Sequence, residues 1–238
     1  MASKNIPMNE RIIFALDVES PDLAKRLVER LESHIKFYKV GLQLFLAGWF
    51  PIVDWITARG HKVMLDLKFF DVPETVKLAV SQLRNRGVTF ATVHSGNGPM
   101  LKTAAEVKGD VKILAVTVLT SIGEEDLKDL AGAHGTVEDL VISRARRALA
   151  SGVDGVVASG LEAASLRREL GNDFLIVTPG IRPAGSGSRD DQRRIITAGK
   201  AIAAGADHVV VGRPIRDATD PISVVEAMQQ EVVRELGV

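Results

Sequence analysis

The sequence predicts an α/β protein built from eight consecutive strand–helix units. Eight short runs rich in apolar residues alternate with amphipathic helical patterns along 238 residues, and about 30 residues is the usual length of one such unit. Most of the runs are continuously apolar, which is typical of parallel strands buried on both faces. Eight evenly spaced units favour a closed (β/α)8 TIM barrel over an open doubly wound sheet. With no linker or composition break, residues 1–238 are expected to form one domain.

The strands are expected in chain order at residues 11–17, 37–41, 62–68, 89–94, 112–118, 155–158, 174–178 and 207–211. Two of the predicted helices, the first after strand one and the last in the chain, carry a clear start signal. Ser20 and Asp220 are each followed by proline, and a capping side chain with proline at the first helical position is the common way to begin a helix. A Gly/Ser-rich stretch at 184–188 is too short for a domain linker and predicts a loop after the seventh strand.

Composition excludes several classes of protein. Thirty basic residues balance thirty acidic ones, which argues against a nucleic-acid binder that relies on overall charge. Cysteine is absent, so disulfides, thiolate catalysis and cysteine-ligated metals are excluded. The sequence contains no run of 18 apolar residues, so no membrane span is expected. The N-terminus lacks the apolar h-region of a secretory signal peptide. We therefore expect a cytoplasmic protein without nucleic-acid or membrane partners.

Charged residues of both signs occur where the first three predicted strands end. They are Asp17, Lys39, Asp66, Lys68 and the nearby Asp71. Because the carboxyl ends of barrel strands meet at one mouth, these side chains are expected to converge there. Asp66 and Lys68 are two residues apart on a strand and should point to the same face. The alternative interpretation is a set of rim salt bridges, each of little energetic value.

A second cluster predicts a phosphate site. Residues 178–183 (TPGIRP) follow the seventh strand and Gly212–Arg213 follow the eighth, the usual position of phosphate sites in barrels. Glycine at 180 and 212 allows close approach of main-chain N–H groups, and arginine matches phosphate oxygens. Gln192 lies just after the predicted loop and could close over the ligand. The alternative is a turn with a solvated arginine.

The five histidines form no metal-binding or triad pattern. His94 ends the fourth strand, where a structural or substrate-lining role is favoured over metal ligation. No predicted strand is followed by a G-x-G-x-x-G sequence, which argues against a nicotinamide cofactor. We expect neither a metal ion nor a cofactor.

The segment DLKFFDVPET at 66–75 resembles the D-x-K-x-x-D-x-P-x-T signature of the orotidine 5′-phosphate decarboxylase family. Further segments resemble the family in order along nearly the whole chain: ALDV at 15–18, YKVGLQLF at 38–45, TVHSGNG at 92–98, VTVLTS at 116–121, TPGIRP at 178–183, DDQ at 190–192 and VVVGRPI at 209–215. The combination is highly specific. VTVLTS and the short chain are most similar to the bacterial type of the family.

The resemblance implies an enzyme, a carboxy-lyase that converts orotidine 5′-monophosphate to UMP without a cofactor, the last step of de novo pyrimidine nucleotide biosynthesis. It also implies a role for each matching residue. Lys39, Asp66, Lys68 and Asp71 would form a charged tetrad, with Lys68 as the proton donor. Substrate would be bound by Asp17, Lys39, Thr75, Thr120, Arg182, Gln192, Gly212 and Arg213. Asp71 and Thr75 would serve the neighbouring subunit of a homodimer. One position departs from the family pattern: Glu74 stands where asparagine is expected, which puts a local turn or interface contact in doubt.

Two other functions remain open on the sequence. A related barrel decarboxylase or aldolase acting on a sugar phosphate would share the D-x-K-x-x-D pattern but would use a magnesium ion. Lys39, Pro73, Thr75 and TPGIRP favour the nucleotide enzyme. The other alternative is a barrel that binds a phosphorylated ligand without turning it over, and the complete Asp/Lys set weighs against it.

Overall fold

The computed structural model describes residues 4–129, 135–183 and 194–237, except the side chains of residues 128 and 129. Eight parallel strands pair in sequence order, and the last pairs with the first to close a barrel. The predicted (β/α)8 fold is confirmed. The strands are β1 (Ile12–Ala15), β2 (Phe37–Gly41), β3 (Lys62–Phe69), β4 (Val88–His94), β5 (Lys112–Val116), β6 (Gly155–Val157), β7 (Leu175–Thr178) and β8 (His208–Val211).

One short helix precedes the first strand, and the other helices lie between the strands or follow the last one. They are α1 (Met8–Arg11), α2 (Pro21–Leu31), α3 (Leu42–Ala58), α4 (Pro73–Ser81), α5 (Gly98–Val107), α6 (Val137–Ala150), α7 (Ala163–Leu170), α8 (Ala198–Ala203), α9 (Arg213–Arg216) and α10 (Pro221–Leu236), with a 3₁₀ helix at Glu124–Asp129. No helix within the described ranges is long and apolar enough to cross a membrane.

Several predicted strands are longer than the observed ones, and the first is the clearest case. It was expected at residues 11–17, whereas β1 covers Ile12–Ala15 and Arg11 ends α1. Leu16 and Val18 remain buried although they lie beyond the strand. An apolar run reports burial rather than ladder pairing, so it continues past the end of a strand wherever the loop also packs on the core.

The predicted helix starts at Ser20 and Asp220 are observed. The Ser20 side chain accepts a hydrogen bond from the Leu23 N–H at 3.3 Å, and Asp220 accepts from Ile222 N–H at 3.2 Å. Each cap satisfies a main-chain donor that has no partner inside the helix, which stabilises α2 and α10 by about 1 kcal/mol each.

The core has two layers. One lies inside the barrel, where strands contribute Ile13, Ala15, Phe37, Met64, Phe90, Leu114, Val177 and Val210. The larger layer lies between the strands and the surrounding helices. His208 packs edge-on against Phe37 and Phe90, and burial lowers its pKa to about 4, so the imidazole is neutral at pH 7. With the interior filled by these side chains, a site is expected above them, at the carboxyl ends of the strands.

Candidate active site

Four charged side chains of alternating sign form a continuous row at the carboxyl ends of β1, β2 and β3. Lys39 Nζ lies 2.8 Å from Asp17 Oδ1 and 3.6 Å from Asp66 Oδ2. Lys68 Nζ lies 2.9 Å from the same Asp66 oxygen. Lys39 and Asp66 in the middle of the row are almost fully buried, whereas Asp17 and Lys68 at its ends are partly exposed. The structure therefore brings together four of the five charged residues that the sequence singled out.

The pairing keeps the two buried members of the row ionised. Burial alone would lower the pKa of Lys39, but the carboxylates of Asp66 and Asp17 outweigh it and raise the pKa above its usual value. Burial alone would raise the pKa of Asp66, but Lys39, Lys68 and a hydrogen bond from Thr92 lower it below the usual range. At neutral pH Lys39 and Asp66 thus carry fixed charges of opposite sign.

Gly41 makes room for this arrangement. A Cβ atom at position 41 would lie 3.0 Å from Asp17 Oδ1 and 3.0 Å from Lys39 Nζ. Such contacts are closer than side-chain carbons normally make, so a larger residue would push the carboxylate and the ammonium apart. The absence of a side chain at the end of β2 is therefore part of the site.

The backbone at Lys68 is not that of a regular strand. Its φ is 49°, an uncommon value for a residue other than glycine. The register between β3 and β4 also shifts between Leu65 and Phe69. The Lys68 N–H donates to Thr92 Oγ1 at 2.9 Å instead of continuing the ladder. This local irregularity aims the ammonium at the mouth of the barrel.

A cavity of about 520 Å³ opens above the charged row. It is also lined by Thr120, Arg182, Gly212 and Arg213, all of which the sequence placed at the site. Gly180, with a φ of 78°, contributes to the same wall. Gln192 lies outside the described residues. The cavity thus has an Asp/Lys wall on β1–β3 and an arginine-bearing wall after β7 and β8.

Asp71 and Thr75 do not reach this cavity from their own chain. Both residues are exposed and absent from the described lining of the cavity. The Asp71 carboxylate accepts a hydrogen bond from the adjacent Val72 N–H at 2.6 Å. Among the described residues it forms no ion pair with Lys68 within 4.0 Å. Within one chain, Lys39, Asp66 and Lys68 of the predicted charged tetrad therefore lie together, whereas Asp71 lies apart from them.

Sequence reasoning missed Arg216 and Ser121, which also line the cavity. Arg216 donates from Nη1 to the Asp17 carbonyl oxygen at 2.9 Å and pairs with Asp217 at 2.6 Å. It follows Arg213 by three residues, so helical spacing after β8 was the signal that could have found it. Arg216 ties the end of β1 to the segment after β8.

His94 lies beside the cavity rather than in its described lining. Its ring packs edge-on against Phe70, with centroids 5.3 Å apart, and burial lowers its pKa. Among the described residues, no group of three or more His, Cys, Asp or Glu side chains could hold a metal ion. The position of His94 agrees with a structural role.

Comparison with known proteins bears on the identity of this site. The sequence model described as "Orotidine 5'-phosphate decarboxylase / HUMPS family" matches residues 10–228. The chain belongs to this family. The resemblance expected from the 66–75 signature is confirmed, and the family members found among curated proteins are enzymes of the carboxy-lyase class.

Members of the orotidine 5′-phosphate decarboxylase family from bacteria resemble the chain over nearly its full length. An orotidine 5'-phosphate decarboxylase of Methylococcus capsulatus is 53% identical, covering 98% of this chain and 96% of its own. One from Rhodopseudomonas palustris strain BisB5 is 49% identical, with 98% and 99% covered. The crystal structure of the Lactobacillus acidophilus enzyme superposes with a TM-score of 0.81 at 36% identity, covering 94% and 99%.

Glu74, which departs from the expected family pattern, lies in the first turn of α4 and is exposed. Its carboxylate pairs with Lys77 one turn later at 3.2 Å. An acidic residue at a helix N-terminus is electrostatically favourable. Within the chain the departure therefore affects a helix surface and leaves the charged row unchanged.

Proposed function

We propose that the protein decarboxylates orotidine 5′-monophosphate to UMP and carbon dioxide, the last step of de novo pyrimidine nucleotide biosynthesis. The observation that carries the proposal is that the Asp17–Lys39–Asp66–Lys68 row and an arginine-bearing wall line one cavity. A nucleotide has a polar sugar between a base and a phosphate, which matches this division of the cavity. The names of the bacterial relatives support the same substrate.

The proposed reaction breaks the bond between a ring carbon and its carboxylate. The bonding electron pair stays on the ring carbon as carbon dioxide leaves, and Lys68 then donates a proton to that carbon. Until then the Lys68 ammonium, paired with Asp66, offers a fixed positive charge to the developing carbanion. We infer that this preorganised charge is the main catalytic term. Lys68 regains its proton from water.

The remaining residues would hold the substrate in place. Asp17, with Lys39 beside it, would accept hydrogen bonds from ribose hydroxyls, and Thr120 would face the pyrimidine. Arg182, Gly212 and Arg213 would bind the phosphate, and Gln192 is proposed to complete that end. Phosphate binding far from the reacting carbon can contribute to turnover by holding the base against Lys68.

We further infer that two copies form a homodimer in which Asp71 and Thr75 complete the neighbouring site. The surface that carries them supports this. Phe70 and Val72 flank Asp71 and are 66% and 62% exposed. Leu42 and Leu46 lie one turn apart on α3, and Trp49 follows at a kink in this helix; the three side chains are 57–62% exposed. Apolar area of this kind is typical of an interface.

We also propose that residues 1–238 form one domain and that the protein is cytoplasmic.

Activity without a metal ion is the first test of this function. Protein treated with EDTA and assayed in metal-free buffer is expected to convert orotidine monophosphate to UMP at the rate of untreated protein. The loss of orotidine monophosphate absorbance measures the rate, and chromatography identifies UMP. Inactivity reversed only by magnesium would favour the sugar-phosphate alternative. Calorimetric binding of orotidine monophosphate without formation of UMP would favour a binding protein.

Replacement of Arg213 tests the phosphate wall. A charge-assisted contact contributes roughly 1.5–3 kcal/mol, so Arg213→Ala is expected to lower kcat/KM at least about tenfold. The nucleoside orotidine lacks the phosphate, and its slow turnover should change far less in the variant. Measuring both substrates with both proteins isolates this contact from general damage. Equal losses on the two substrates would mean that Arg213 supports the barrel rim.

A further inference from the structure

We propose that Thr92 is a positioning residue for the decarboxylation: its hydroxyl fixes the Asp66 carboxylate and the Lys68 main chain in one geometry. This inference rests on the proposed function, because it concerns how the reacting groups are held. Thr92 itself is absent from the described lining of the cavity, so it would act only through its two neighbours.

Two hydrogen bonds carry the proposal. Thr92 Oγ1 donates to Asp66 Oδ1 at 2.9 Å and accepts from the Lys68 N–H at 2.9 Å. A hydroxyl has a single proton, so donation to the carboxylate leaves its lone pairs for the main-chain donor. Thr92 is on β4 with an exposed fraction of 0%. Water is therefore excluded from replacing the hydroxyl in either contact.

The two oxygens of the Asp66 carboxylate make different contacts. Oδ1 is held by Thr92, whereas Oδ2 receives Lys68 Nζ at 2.9 Å and lies 3.6 Å from Lys39 Nζ. Without the Thr92 hydroxyl, the carboxylate could turn about its Cβ–Cγ bond. The ammonium of Lys68 would then lose the fixed direction in which it meets the substrate.

The bond to Lys68 stabilises an unusual backbone. Lys68 has a φ of 49° where the β3–β4 register shifts, so its N–H lies outside the regular ladder. A conformation of this kind persists only where its surroundings hold it. The Thr92 hydroxyl is the acceptor for that N–H. One side chain thus fixes both ends of the Asp66–Lys68 segment.

The test compares variants that differ only in the hydroxyl. Thr92→Val keeps the shape and is expected to lower kcat about 10- to 100-fold, the range of a hydrogen bond to a charged group. KM and the affinity for UMP should stay within about threefold, because the substrate-binding residues are unchanged. Thr92→Ser restores the hydroxyl and should recover most of kcat. Thr92→Ala and Thr92→Ser form a second pair with the same difference, in case the valine variant does not fold.

Thr117→Val is the matched control. Thr117 is equally buried and its hydroxyl donates to the Val157 carbonyl oxygen at 2.9 Å, away from the charged row. Its kcat should stay near that of the wild type, with thermal unfolding reporting any loss of stability. A Thr92→Val protein with wild-type kcat, or a folded Thr92→Ser protein as slow as Thr92→Ala, would overturn the inference. Inactive wild-type protein would instead refute the proposed function.

Discussion

Lys68→Ala is expected to lower kcat by at least about 10⁴-fold, because it removes two contributions at once. A positioned general acid contributes about 10²–10⁴-fold, and a fixed charge facing the developing anion contributes a further 10²–10³. The fold should survive, since Asp66 keeps Lys39 as a partner and is not left as an unpaired buried charge. Binding of UMP should persist.

Lys62→Ala provides the matched control for this experiment. Lys62 lies at the opposite end of β3, where it pairs with Glu10 at 2.6 Å and is partly exposed. Because this pair is remote from the charged row, activity should remain close to that of the wild type, and thermal unfolding measures any loss of stability. A folded Lys68→Ala protein that loses less than about a hundredfold in kcat would contradict its role as proton donor.

Mixing two inactive variants is expected to restore activity if sites are shared between subunits. Lys68→Ala and Asp71→Ala proteins should each be inactive alone. After subunit exchange, each mixed dimer contains one site with both residues intact. With random exchange about half of the dimers are mixed, and one of the two sites in each mixed dimer is intact. About a quarter of wild-type activity should therefore return.

A second mixture shows whether the rescue depends on sharing. Asp66 and Lys68 contact each other within one chain at 2.9 Å, so mixing Lys68→Ala with Asp66→Asn should restore nothing. Exchange itself must be verified, for example with one subunit carrying an affinity tag. Verified mixed dimers of Lys68→Ala and Asp71→Ala without activity would count against a shared site, as would an active Asp71→Ala protein.

The barrel could be predicted from the sequence because its signals are local. Continuous apolar runs such as Ile12–Ala15 indicate burial on both faces, and caps such as Ser20 indicate helix starts. Where a strand ends depends on pairing with its neighbours, which no single run contains. For this reason the predicted strand 112–118 extends past β5, which ends at Val116.

The candidate site was predictable where topology alone decides proximity. Parallel strands place Asp17, Lys39 and Asp66 at one mouth whatever the details of packing. The backbone of Lys68 was not predictable, because alternation along a regular strand assumes a register that β3 and β4 do not keep there. Arg216 was missed for a related reason: its contact with Asp17 joins opposite ends of the chain.

Closure of the barrel by β1 and β8 has a consequence for the order in which the protein acquires its function. Ile12 pairs with Val209, and the bond from Arg216 to Asp17 spans 199 residues. During synthesis, β1 therefore keeps one edge unpaired until the end of the chain emerges. A nascent chain lacking β8 would have the Asp/Lys row but neither Gly212 nor Arg213. Catalytic competence would thus arise only with the final strand, well after most of the polypeptide has been made.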